Sequence, residues 1–160
     1  MSLKLQIQQE LDRLARLGLS ATNPGSVLIA TPNGHLECEL EAVDTLGCAV
    51  LRISYQTQRL ANATVAELKK VSESLASRLS YLLEPIRPVE IDHEECIVQL
   101  RSNPPQRDDD GHSYYELLAR KGEISLCRYN KPVGQERRVI AAHVTREVFA
   151  KLANDLVGAV

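Results

Sequence analysis

Leu36-Glu37-Cys38-Glu39-Leu40-Glu41-Ala42, the turn Asp44-Thr45-Leu46-Gly47, and then Cys48-Ala49-Val50-Leu51-Arg52-Ile53-Ser54-Tyr55 decide how this chain is read. Apolar and acidic residues alternate with a period of two in the first run. Leu36, Cys38, Leu40 and Ala42 are therefore expected to face a core, and Glu37, Glu39 and Glu41 to face water. The second run reads as the antiparallel neighbour, with Arg52 within cross-strand reach of one of the glutamates. Upstream, Val27-Leu28-Ile29-Ala30-Thr31 is a short β-type run, and Asn33-Gly34 is the expected hairpin turn between it and the acidic strand.

Helical spacing brackets these strands. Leu3, Ile7, Leu11, Leu14 and Leu17 recur three or four apart and stop at Gly18, which predicts an amphipathic first helix. Thr64 followed three residues later by Glu67 is a capping box, and Val65, Leu68, Val71, Leu75, Leu79 and Leu82 then form the apolar stripe of a helix of about 18 residues. Pro85 and Pro88 end it and launch a β-type segment, Val89–Asp92, which resumes at Cys96–Arg101. The polar, proline-bearing stretch from Asn103 to Gly111 lacks any period and predicts a mobile loop around 103–112. Tyr114–Arg120 and Ile124–Tyr129 pair around Lys121-Gly122, Arg138–Ala142 is a last short strand, and Thr145 caps a closing helix with Val148, Phe149, Leu152 and Leu156 inward.

The predicted order is α-βββ-α-ββββ-α, an α+β fold with mostly antiparallel pairing, because the turns are too short to hold crossover helices. The run from Cys38 through Arg52 to Thr64 can be laid beside the run from Tyr115 through Arg128 to Thr145, with Glu39-Leu40 over Glu116-Leu117. Two ββα units in tandem predict one shared core, hence a single globular domain over 1–160. The chain's 160 residues suit one domain of ordinary size.

Composition narrows the function classes. Nineteen Lys and Arg against 21 Asp and Glu give a net charge of −2, so no field favours phosphate backbones or anionic lipid, and no nucleic-acid or membrane partner is expected. Aromatic residues make up 4%, with no Trp, which argues against base-stacking platforms. The N-terminal helix lacks a signal-peptide core, and Cys38, Cys48, Cys96 and Cys127 stand singly in apolar runs, as buried thiols of a reducing, cytoplasmic setting do.

No constellation makes a chemical site. His93 and Cys96 flank Glu94-Glu95 three residues apart, which in a strand puts them on opposite faces. Asp108-Asp109-Asp110-Gly111-His112 is oxygen-rich, but Glu116 arrives too early to close a calcium loop, so a solvated acidic loop is expected. Glu37, Glu39 and Glu41 form a regular row in one environment, whereas paired catalytic carboxylates need unequal ones; a solvated face is expected, with docking of a basic partner as the alternative. His35, His93, His112 and His143 accompany no nucleophile motif, and the glycines sit singly at turns with no phosphate loop. No catalytic, cofactor-binding or metal-ligating residue is assigned.

The order helix, three strands, helix, several strands, helix, in a slightly acidic chain of this size, resembles the type III secretion chaperone-like fold. That resemblance rests on arrangement alone and departs from the pattern in the hairpin Tyr114 to Tyr129. It implies a dimer that binds extended client segments on helix and sheet surfaces. Because no chemical site is assigned, the leading expectation is a non-enzymatic protein-binding module, chaperone- or adaptor-like, with a protein partner and a homodimeric state. The alternatives are a small-ligand protein or enzyme in which a cleft holds His93, His143 or His35 beside a carboxylate, and a structural subunit with an exposed apolar patch on its first or last helix.

Overall fold

A computed structural model describes all residues from Met1 to Val160. The chain runs through α1 (Leu3–Ala15), β1 (Gly25–Thr31), β2 (Gly34–Val43), β3 (Gly47–Thr57), α2 (Val65–Arg78), β4 (Ile86–Asp92) and β5 (Ile97–Ser102). It continues through β6 (Gln106–Asp108), β7 (Gly111–Arg120), β8 (Glu123–Pro132), β9 (Arg138–Ile140), β10 (Ala142–Thr145) and α3 (Arg146–Gly158). The fold is α+β, with helices and strands in the predicted order. All pairings are antiparallel and join one sheet, β1-β2-β3-β8-β7-β5-β4, to which β10 adds beside β3, β9 beside β8 and β6 beside β7.

Each helix begins on a hydroxyl cap. Ser2 Oγ accepts from the Leu5 amide at 3.2 Å, Thr64 Oγ1 from Glu67 at 3.2 Å and Thr145 Oγ1 from Val148 at 3.0 Å. Each answers an amide that the first turn leaves unpaired, an interaction usually worth about 1 kcal/mol. The stripe read as one long helix is α2 followed by a 3-10 turn at Leu79–Leu82, so the apolar positions hold while the last turn tightens.

All three helices cover one face of the sheet. α1 lies across β1 and β2, α3 over β3 and β10, and α2 over β4, β5 and β7. The core between the layers holds Ile7, Leu11 and Leu14 of α1, Leu68 and Leu75 of α2, and the single phenylalanine, Phe149, of α3, against Leu36, Ile53, Leu100 and Leu117 of the sheet. The first and last helices thus bury Ile7, Leu11 and Leu14 and Phe149, Leu152 and Leu156 inside the chain, whereas Leu17, read as the end of the first stripe, lies past α1 and is exposed. The two hairpins β2-β3 and β7-β8 lie side by side, with Ser54 opposite Ser125.

Local backbone geometry departs from the sequence reading at five places. β2 and β3 slip register between Glu39 and Ala42, so the alternation ends at Leu40: Ala42 is exposed, and Glu41 leaves the acidic row. The run read as a strand resuming at Cys96 is the hairpin β4-β5; Asp92 Oδ1 accepts from the amides of Glu94 and Glu95 at 3.0 and 2.9 Å, and Cys96 takes a positive φ of 56°. The segment 138–142 breaks at Ala141, with β9 pairing to β8 and β10 to β3. Gln106–Asp108 of the expected loop is a short strand against β7. Pro32 and Asn33 occupy the first hairpin turn, and Gly34 already belongs to β2, where a Cβ would stand 1.9 Å from the Gln56 carbonyl oxygen.

Leu11 is 0% exposed. Leu11→Ala is expected to cost about 3 kcal/mol by urea denaturation, and Leu11→Glu to prevent folding, because the site has no room or partner for a charge.

Candidate functional site

The helix-free face of the sheet carries a band of charge. Across five strands the register aligns Glu39, Arg52, Cys127, Glu116 and Arg101 in one row. Arg52 stands opposite Glu39, yet its guanidinium pairs with Glu123 on β8 instead, so the expected partnership with the acidic row is replaced. Glu116, only 4% exposed, is held between Arg137, which reaches in from the loop after β8, and Arg101 at 3.7 Å. Arg137 also lies 3.9 Å over the Tyr129 ring, and Arg101 lies 4.5 Å over Tyr114. Glu116 has an arginine on either side of it, so the band fastens the 133–137 loop to the sheet.

Two clefts lie on the helix side. One, a groove of about 640 Å³, runs between the end of α2 and edge strand β4, with Ala76, Leu79, Leu83, Ile86 and Leu100 among its walls. Leu83 is its most unusual member: 88% exposed, it adopts a left-handed conformation with φ 65° and ψ 13°. For a leucine this backbone costs roughly 1–2 kcal/mol, and nothing in the chain covers the side chain in return. The sequence offered one sign of it, since Leu83 falls outside the α2 stripe that ends on Leu82.

The second cleft, about 630 Å³, brings Glu41, Glu84, Gln106, Arg128 and His143 together from five segments. Arg128 is buried, ion-paired to Glu84 at 2.8 Å, bonded to Gln106 Oε1 at 3.0 Å and stacked 4.5 Å over Tyr115. Of the histidines singled out from the sequence, His143 shares the lining of this cleft with Glu41 and Glu84. The register slip that removes Glu41 from the acidic row delivers it here. Sequence could not show this, because the slip depends on pairing with β3.

The other singled-out residues remain apart. His112 stacks on Tyr114 at 5.7 Å, and Asp108 Oδ1 is used by its own turn, accepting from Asp110 and Gly111 at 2.9 and 3.0 Å. No three His, Cys, Asp or Glu side chains converge as metal ligands. All four cysteines are free thiols. Burial pushes Cys38 far above the ordinary thiol range and Cys48 up to about 12; it also raises Cys127, against the opposing pull of Arg52.

No family model, curated protein or solved structure matches this chain. No helix is long and apolar enough to cross a membrane.

Iodoacetamide at neutral pH should leave Cys38, Cys48 and Cys127 unmodified in the native protein and label them in urea, read by peptide mass spectrometry. Glu116→Ala should lower stability by about 1–2 kcal/mol, a range reduced because both of its arginines are more than a third exposed.

Proposed function

We propose that this chain is a non-enzymatic protein-binding module, chaperone- or adaptor-like, that holds a short apolar segment of a protein partner in the groove between α2 and β4. Leu83 carries the reading. An exposed leucine held in an unfavourable backbone conformation beside an apolar groove is a strained feature that a bound side chain would cover. The groove's mixed helix and strand walls also suit the client-binding mode implied by the arrangement-level resemblance.

A small-ligand site is the second reading, and the meeting of His143, Glu41 and buried Arg128 in one cleft favours it. A structural-subunit reading would call for a large exposed apolar patch on the first or last helix, where Ile7, Leu11, Leu14, Phe149, Leu152 and Leu156 are buried.

Selection from a displayed peptide library, followed by fluorescence anisotropy, tests the groove. Peptides with one or two large apolar anchors should bind and should lose about tenfold or more in affinity on Leu83→Gly or Ser77→Arg. Leu83→Gly should at the same time leave stability unchanged or raise it by up to about 1 kcal/mol, since glycine accepts the left-handed backbone. Selected peptides indifferent to both substitutions would sink the reading. Ligand-induced thermal shifts abolished by His143→Ala would move the function to the second cleft.

A further inference from the structure

The main sheet has two edges, and they differ in kind. β4 carries Pro88, a register break between Pro88 and Glu90, and exposed charges at Arg87 and Glu90, which are the usual devices that keep an edge from pairing. β1, Gly25-Ser26-Val27-Leu28-Ile29-Ala30-Thr31, has no charge, no proline and an unbroken register with β2.

Its free hydrogen-bonding groups can be assigned. Thr31 and Gly34 close a two-residue hairpin, so Val27 and Ile29 direct their backbone groups to β2 while those of Ser26, Leu28 and Ala30 point away from the sheet. Arg13 Nη2 donates to the Ser26 carbonyl at 3.1 Å, which matches that outward direction. The groups of Leu28 and Ala30 stay open, and the Leu28 side chain is 65% exposed on the helix-free face.

We propose that β1 pairs antiparallel with β1 of a second copy of this chain about a two-fold axis at Ile29. Leu28 then exchanges backbone hydrogen bonds with the copy's Ala30, Ala30 with the copy's Leu28, and the Arg13–Ser26 contact is kept. Strands so paired lie about 4.8 Å apart. Because α1 lies across β1 and β2, the same operation brings the two α1 helices together as neighbours on one face of the joined sheet. The flank of α1 facing this edge is marked by Arg13 and its ion pair with Glu10, while Asp12 on the other flank binds Arg146. One and two turns back from Glu10 on the edge flank stand Gln6 and Ser2, both uncharged. A second copy therefore continues both layers, sheet to sheet and helix to helix, where a lone foreign strand would leave the α1 flank bare. With a net charge of −2 the copies repel little.

Sedimentation equilibrium of the full chain across the micromolar range should give a dimer. Ala30→Pro removes an outward amide without touching the β2 ladder, and Leu28→Lys charges the seam. Each should raise the dissociation constant about tenfold or more while circular dichroism stays native. The Leu28 amide should exchange slowly in the dimer and faster on dilution. Leu83→Gly should leave the dimer intact, so failure here and failure of the groove reading are separable. A wild-type monomer at every concentration, or a dimer indifferent to both edge substitutions, overturns the proposal.

Discussion

Strand β3 must satisfy backbone hydrogen bonds on both sides, and much of the fold is arranged around that requirement. One side is filled by β2. The other is filled twice, by β8 along Arg52–Gln56 and by β10 along Gly47–Val50, with Leu51 bulged between the two ladders. A buried amide without a partner costs too much to persist, so segments distant in sequence are brought to this strand. α3 follows β10 onto the same strand and closes the core over Ile53.

Where the sequence was legible, a short-range pattern carried the information. Thr64 with Glu67, the stripe through Leu68 and Leu75, and the alternation Leu36-Cys38-Leu40 all depend on neighbours within a few residues, and all three survive in the structure. The misreadings came where a partner strand or a turn overrides the local period. Glu41 and Ala42 exchange environments because Glu41 is the extra residue of a bulge in β2 opposite Ala49 and Val50, and the backbone breaks at Ala141 because its two sides pair with different strands. His93 to Cys96 turns because Asp92 caps the amides of the two glutamates between them. Of the candidate site, His143 could be singled out as a residue. Its meeting with Glu41 and Arg128 could not, since no spacing in the chain encodes it.

The charged band and the apolar groove divide the surface by chemistry. On the helix-free face, Glu116, Arg137, Arg101, Tyr114 and Tyr129 answer one another, and a ligand would have to break those pairs to enter. At the end of α2 the situation is reversed, because Leu83 is bare and the backbone beneath it is strained. Paired charges and aromatic rings occupy the first surface, and the second carries an apolar side chain that nothing in the chain covers.

Because β10 and α3 follow β3 by almost ninety residues and cover so central a strand, vectorial synthesis imposes an order on assembly. A nascent chain that has already emitted β1 to β3 lacks the α3 part of the cover over β3 until α3 leaves the ribosome. The early hairpins can form, but part of the hydrophobic floor they present stays open to aggregation or chaperone capture until α3 emerges. The half-made molecule is thus a stickier object than the finished one.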